Sequence, residues 1–354
     1  MELINIKQLT NIDKSNADIL TYEKLKKLPC IEITNNLEVT NNSKQLLGKY
    51  ISDNLCLVPV KRISSQFQEK ENFPSRVLLE MTSNCNLSCT MCPRNHLTRE
   101  KMDIDSHLFK KCVDELETIG IDGLWIYNIG ESLLHKNFQG LVNYVSQKKN
   151  LGPIWLSSNG LDLNNNFAEI IINSNIHFMN LSINATSQEV YDKISPTGNW
   201  NQTIQNFHNF LNKKITSKNK KPFTRVQIID QKYACNEIDQ FLNKYSQLAD
   251  IISVNTLEAF SQDEQNNLEY ASIRERPHKK KCNRVKRKDL FIFSNGETTF
   301  CDTDFNGQFS LGNVKDKSIS QIWNSDIRKK FINYNEDERL NEIELCKNCL
   351  DYDL

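Results

Sequence analysis

The sequence predicts an α/β fold: six strand–helix units forming a partial (β/α)6 TIM-like barrel, followed by a small C-terminal domain. Three observations carry this. Short apolar runs recur six times from residue 76 onward, amphipathic helical segments separate them, and a charged stretch marks off a cysteine-bearing C-terminal region. Strands alternating with helices imply parallel βαβ units, and in such folds the chemistry sits at the C-terminal ends of the strands.

The runs are "RVLLEM" (76–81), "GLWIYN" (123–128), "PIWLSS" (153–158), "FMNLSI" (178–183), "RVQIID" (225–230) and "DIISVN" (250–255). Each is short and rich in branched or aromatic residues, as buried parallel strands are. Between them, Leu108, Phe109, Cys112, Val113 and Leu116 share one helical face, as do Ile238, Phe241, Leu242 and Tyr245. The segment "RERPHKKKCNRVKRK" (274–288) then marks a boundary and reads as a solvated face or a docking site for a phosphorylated substrate or an acidic flavodoxin. Beyond it, "LFIFSNGETTFCDTD" (290–304) predicts a hairpin, and Ile319, Ile322, Trp323 and Ile327 predict one helix with those four inward. Residues 1–72 are rich in Asn, Lys and Gln, carry no motif, and read as an accessory extension. The expected division is 1–72 extension, 73–260 barrel core, 261–281 linker and 282–354 C-terminal domain.

Composition narrows the class. At 354 residues the chain is long enough for two or three domains. Lys plus Arg and Asp plus Glu both number 44, which argues against nucleic acid as the main partner, since phosphate binding draws on a basic surplus. No apolar run approaches a membrane span and the first residues lack a signal-peptide core, so a cytoplasmic protein without membrane attachment is expected. In a reducing compartment eleven cysteines are not a disulfide framework; clustered ones point to metal, and scattered ones to core. Cys30, Cys56, Cys112 and Cys235 stand alone.

"TSNCNLSCTMCPR" (82–94) sets Cys85, Cys89 and Cys92 in a loop directly after the first strand. Structural zinc takes four protein ligands, so three thiolates leave one metal position open. This C-x3-C-x2-C loop resembles that of the radical S-adenosylmethionine (SAM) enzymes. The resemblance implies a four-iron, four-sulfur cluster on the three cysteines, its fourth iron left for the amino and carboxylate groups of SAM. One electron passed to the SAM sulfonium then yields a 5′-deoxyadenosyl radical that takes hydrogen from an inert C–H bond; the cofactor does this chemistry and the barrel aims it.

Other segments fall in family order at strand ends. "NIGESLL" (128–134) looks like the Gly-Glu motif, with Ser132 where proline is common. By resemblance Gly130 exposes backbone and Glu131 accepts the SAM ammonium. "SSNG" (157–160), with Ser158 and Asn159, and "LSINA" (181–185) resemble segments that line SAM, with Ser182 and Asn184 as ribose contacts and Met91 near the adenine.

Cys282, Cys301, Cys346 and Cys349, spaced C-x18-C-x44-C-x2-C, make a complete four-thiolate cage. With "GETTFC" and "LGNVKDKSISQIW" they resemble the SPASM domain in its shortened, single-cluster twitch form, which implies one auxiliary four-iron, four-sulfur cluster. A zinc site fits the same spacing.

When an adjacent hydroxyl or amine loses a proton, the substrate radical becomes a strong reductant, and a fully cysteine-ligated cluster nearby can take its electron. Twitch-type members include dehydrogenases of amino-cyclitols and sugar-like alcohols, so oxidation of an alcohol on such a small molecule leads. Cys235, just after the fifth strand, supports a rival: a thiol facing the barrel mouth would return hydrogen to the opposite face of the radical, giving epimerisation, whereas a lone cysteine otherwise belongs to the core. SPASM enzymes also modify ribosomal peptides, with the N-terminal extension as a leader-binding element, and a non-catalytic iron–sulfur protein is the reading from another class. Flavodoxin or ferredoxin is the expected electron donor. Glu80, ending the first strand, is either a base facing the site or a structural partner; His135 reads as a loop residue and Arg94 as near the cluster or on the surface.

Overall fold

A computed structural model describes residues 72–219, 221–245, 248–257, 281–347 and Cys349, with the backbone of four short N-terminal strands. Those four are β1 (Leu3–Ile4), β2 (Ala17–Thr21), β3 (Tyr50–Ile51) and β4 (Leu55–Pro59). The expected linker at 261–281 lies outside the described residues except for Lys281, as do residues 274–280 of the basic run.

Six strands form the centre: β5 (Arg76–Leu79), β6 (Gly123–Trp125), β7 (Ile154–Ser158), β8 (Phe178–Ser182), β9 (Phe223–Asp230) and β10 (Ile251–Thr256). They lie side by side in sequence order, every adjacent pair parallel. All six expected runs are strands. Helices α1 (Ser106–Ile119), α2 (Phe138–Ser146), α3 (Asn165–Ile172), α4 (Gln188–Ile194), α5 (Trp200–Thr216) and α6 (Ile238–Tyr245) connect them. Side chains that accept backbone N–H groups start several of these helices: Asp105 takes those of His107 and Leu108, Asn164 that of Phe167, Ser187 that of Val190 and Asn199 that of Gln202.

The strands alternate in a way that divides core from cavity. Val77, Leu79, Met179, Leu181, Val226, Ile228 and Val254 join the hydrophobic core with Leu108, Phe109, Cys112, Val113 and Leu116 of α1 and Phe241, Leu242 and Tyr245 of α6. Their strand neighbours Leu78, Asn180, Ser182, Gln227, Ile229 and Asn255 line a cavity instead. Phe178 and Phe223 open their strands, and Trp125, Trp155, Phe178 and Phe223 stand in register on four adjacent strands, with consecutive ring centroids 5.8, 3.8 and 5.7 Å apart. Apolar stacking of this kind ties the four strands together.

Both sheet edges are extended. β2 pairs antiparallel with β10, so the N-terminal strands continue the sheet beyond the sixth core strand. On the other side β11 (Asp289–Ile292) pairs parallel with β5, and β12 (Glu297–Thr299) and β13 (Gly312–Asn313) follow antiparallel. The expected hairpin is present. The single expected helix after it is two: α7 (Ile319–Trp323), opened by a Ser318–Gln321 capping box, and α8 (Asp326–Glu336), restarted by Ser325 accepting from the Arg328 N–H. The break at Asn324–Ser325 turns Ile327 outward, so that Ile319, Ile322 and Trp323 are buried while Ile327 is 46% exposed. A short α9 (Glu344–Lys347) carries Cys346. Among the described residues no helix is long and apolar enough to cross a membrane.

Candidate active site

A cavity of about 450 Å³ opens at the C-terminal ends of all six core strands. Cys85, Cys89, Cys92, Met91, Gly130, Glu131, Ser158, Asn159, Ser182 and Asn184 all line it. Thus every residue expected at the three-cysteine cluster and at SAM meets one space.

The cysteine loop has no regular secondary structure and is held by outside contacts. Ser83 N–H donates to Met102 O at 3.0 Å, Ser88 N–H to Thr197 Oγ1 at 2.8 Å, and Thr90 N–H to Ile194 O at 2.8 Å. Arg94 Nε donates to Ser83 O at 3.0 Å, so Arg94 fastens the loop rather than facing the cavity. Cys89 Sγ lies 3.1 Å from Ser195 Oγ. Burial pushes the Cys85 thiol up to about 11 and Cys92 to about 12, and raises Cys89, each pair adding mutual repulsion as thiolates. Three converging thiols that resist ionisation alone suit a cationic metal cluster, which would neutralise them together.

The segment after β6 docks against this loop. Glu131 N–H donates to Asn84 O at 2.8 Å, and a Cβ on Gly130 would lie 2.1 Å from Thr82 O and 2.7 Å from Asn84 O. Only glycine permits that approach. The Glu131 carboxylate is buried, accepting from Asn159 N–H at 2.8 Å and Leu133 N–H at 3.3 Å. Burial outweighs these donors and pushes its pKa up to about 7. A buried carboxylate in that state is suited to a cationic partner. Asn184, in the left-handed region at φ 57°, accepts from Ile229 N–H at 3.1 Å and donates to Ser182 Oγ at 3.1 Å.

The cavity floor was not expected from the sequence. Asn180 donates to Ser157 Oγ at 3.0 Å, and its buried Oδ1 has no partner among the described residues, which leaves an acceptor for a ligand. Gln227, Asn255 and Tyr127 join it, with burial pushing the Tyr127 hydroxyl up to about 12. The available signal was polar residues at every second position of otherwise apolar parallel strands, as in Asn180 and Ser182. Phe291 and Asp302, from the C-terminal region, complete the wall.

Two candidates for catalysis are not in the cavity wall. Glu80 is fully buried and bidentate with Arg99, both N–O distances 2.7 Å; it also accepts from Ser294 N and Oγ at 3.1 and 2.9 Å and from Asn128 at 3.2 Å. With both oxygens committed it ties β5 to the turn after β11 and is structural. Cys235 is exposed in a 3-10 turn after β9, its Sγ 3.4 Å from Lys232 O, neither core nor cavity. The turn directs it outward. His135 is also structural: Nε2 lies 2.9 Å from Ile104 O and Nδ1 accepts from Asn137 N–H at 3.0 Å.

Cys282, Cys301, Cys346 and Cys349 meet around a second, small cavity with Arg284, Thr303 and an apolar lining that includes Phe300 and Phe331. Cys282 N–H donates to Asn335 Oδ1 at 2.7 Å, and Thr303 Oγ1 is 3.1 Å from Cys301 Sγ. Burial pushes the Cys301 thiol up to about 12 and raises Cys346, so this donor set also suits a metal cluster. Among the described residues no three His, Cys, Asp or Glu side chains are grouped to hold a single metal ion.

Comparison with known proteins agrees with this arrangement. Residues 79–221 match the Radical SAM superfamily and residues 282–350 match the SPASM iron-sulfur cluster-binding domain. The mycofactocin maturase MftC of Mycolicibacterium smegmatis is 23% identical over 185 residues, 52% of this chain and 44% of that protein. The chain thus spans less than half the length of this relative. The crystal structure of BtrN in complex with AdoMet and 2-DOIA is similar with a TM-score of 0.55 at 18% identity, covering 80% of this chain and 95% of that one. Streptococcus suis SuiB bound to precursor peptide SuiA gives 0.56 at 14% identity, covering 74% of this chain and 67% of that one. Residues 79–221 are thus a radical SAM domain and residues 282–350 a SPASM-type iron–sulfur cluster-binding domain. Cys85, Cys89 and Cys92 fall within the first matched segment and Cys282, Cys301, Cys346 and Cys349 within the second, and both matches imply iron–sulfur clusters.

Proposed function

We propose that this enzyme oxidises an alcohol of a sugar- or cyclitol-like small molecule, with Cys85, Cys89 and Cys92 holding the SAM-binding cluster. Cys282, Cys301, Cys346 and Cys349 hold an auxiliary cluster that serves as electron acceptor. The observation that carries this reading is the shared wall: Asp302, the chain neighbour of Cys301, lines the same cavity as Cys85, Cys89 and Cys92. When bound, the cofactors would supply a 5′-deoxyadenosyl radical that takes hydrogen from a substrate carbon and, as the hydroxyl proton leaves to solvent, an acceptor for the remaining electron.

The chain's own residues bind and orient. Glu131, held by the Asn159 N–H, is the acceptor for the SAM ammonium, and Gly130 keeps that acceptor tight against the cysteine loop. Ser182 and Asn184 form a fixed pair for ribose hydroxyls, with Met91 beside the adenine. Asn180, Gln227 and Asn255 offer uncharged amides to substrate hydroxyls, which suits a polyol. Leu257 and Phe291 give the cavity apolar wall that excludes water. The fold likeness to BtrN, with AdoMet and 2-DOIA bound there, supports a small-molecule substrate.

Peptide modification is the second reading, supported by the likeness to SuiB with its precursor peptide. Epimerisation through Cys235 loses support because that thiol is exposed and outside the cavity wall. A flavodoxin or ferredoxin supplies the first electron.

The test incubates reconstituted, reduced enzyme with SAM and candidate polyols in deuterated buffer. The expected product is a ketone or aldehyde, one per 5′-deoxyadenosine, with no solvent deuterium on carbon. Deuterium on an inverted carbon would establish epimerisation instead. Product formation on a peptide alone would establish the second reading, and absence of 5′-deoxyadenosine would sink all three.

A further inference from the structure

The cavity and the four-cysteine site are joined by one ion pair, buried on its arginine side and half-buried on its aspartate side, that the proposed chemistry does not use. Arg284 lines the four-cysteine cavity, and its side chain is 3% exposed. Its Nε donates to Asp302 Oδ1, and Asp302 lines the larger cavity on the other side. Arg287 Nη1 lies 3.7 Å from the second Asp302 oxygen. Around the cysteines the medium is apolar, with Phe300, Phe309 and Phe331 packed at centroid distances of 4.2 to 5.5 Å.

We propose that Arg284 and Asp302 are positioning residues that set the reduction potential of the auxiliary cluster with opposite signs. The Arg284 guanidinium makes reduction easier, and the Asp302 carboxylate partly offsets it from the cavity side. The inference rests on the reading above that the four cysteines hold an iron–sulfur cluster. Reduction adds one negative charge to the cluster. A fixed cation in a low-dielectric shell stabilises the reduced form, and a fixed anion destabilises it. Outer-shell charges and hydrogen bonds are general levers on a bound metal centre. Because Asp302 lines the larger cavity and is paired with Arg284 of the smaller one, a substrate group that engages its carboxylate would weaken the offset and make the acceptor more oxidising when the cavity is filled.

A merely structural role for the pair predicts lost stability but no ordered change in potential. The test therefore uses the full-length chain with Cys85, Cys89 and Cys92 replaced by alanine, reconstituted with iron and sulfide and titrated potentiometrically with EPR detection. Arg284→Gln should move the reduction equilibrium about tenfold toward the oxidised cluster, which is about 59 mV for a one-electron couple. Asp302→Asn should move it in the opposite direction by a similar factor, and Arg284→Lys should stay close to the parent. Unchanged potentials, or shifts of the same sign in Arg284→Gln and Asp302→Asn, would overturn the inference while leaving the proposed electron acceptor intact. Should Arg284→Gln fail to take up iron, Asp302→Asn decides: a positive shift supports the pair, and no shift overturns it. If the parent protein takes up no iron at these cysteines, the proposed acceptor and this inference fall together.

Discussion

Replacing Glu131 with glutamine should stabilise the ligand-free protein at pH 8 and change it little near pH 5. The carboxyl is buried and its pKa is pushed from 4.5 to about 7, because loss of solvent around the charged form outweighs the donors from Asn159 and Leu133. The sign follows from linkage. An acid whose pKa is raised on folding binds its proton more tightly in the folded state, so its contribution is fully present below 4.5 and is lost as pH rises through about 7. The displacement corresponds to about 3 kcal/mol at pH 8, taking 1.36 kcal/mol per tenfold change in proton affinity. Glutamine has no charge to desolvate and retains one acceptor oxygen, so most of that loss should disappear. Its amide group cannot accept from the Leu133 N–H, which takes back about 1 kcal/mol. A net gain of about 2 kcal/mol at pH 8 is the expectation. Urea denaturation of both proteins across pH 5–8 measures it. A pH-independent difference, or a variant less stable at pH 8, would refute the account of Glu131 as a desolvated carboxylate awaiting a cation. The same variant should bind SAM more weakly at unchanged iron content.

The other predictions are simpler. Glu80→Ala leaves the buried Arg99 guanidinium without its carboxylate and should cost about 3–5 kcal/mol in the denaturation midpoint; if Glu80 were a catalytic base, turnover would fall without that loss. Gly130→Ala drives a Cβ into two backbone carbonyls, with no side chain able to give way, and should cost about 1–3 kcal/mol or more together with SAM affinity measured by calorimetry. Anaerobically reconstituted protein should hold about eight irons by iron analysis, and triple replacement of Cys85, Cys89 and Cys92 should remove about four. Zinc in place of iron at the C-terminal set would end the electron-acceptor role. Cys235→Ala should leave both melting temperature and turnover unchanged, since the exposed side chain packs against nothing the reaction needs.

The legible part of the molecule was local in sequence. Each strand carries its own run of apolar residues, the cysteine loop follows its strand directly, and every SAM-lining candidate sits at the end of a strand already identified. What stayed hidden depends on pairing between residues far apart. Glu80 could be read as a base or a structural residue until Arg99 and Ser294 were seen to hold it, and Ser294 is over two hundred positions away. The fate of Ile327 turned on a restart at Ser325, where Asn324 ends one helix and the serine cap opens the next within a single apolar pattern. Cys235 was sequence-adjacent to a strand end, yet a 3-10 turn carries its side chain outward. The consequential case is β11. Its register, Leu290 to Val77 and Ile292 to Leu79, cannot be read from either segment alone, because any two apolar runs could pair. Yet that register brings Phe291 and Asp302 to the cavity of Cys85, Cys89 and Cys92, and through Cys301 brings the second thiol set to the same end of the barrel. Cysteine spacing separates two thiol sets, but only strand pairing brings the second of them up against the cavity lined by the first. On the function proposed above, a chain with the same motifs and a hairpin docked elsewhere would keep hydrogen abstraction and lose the route for the second electron.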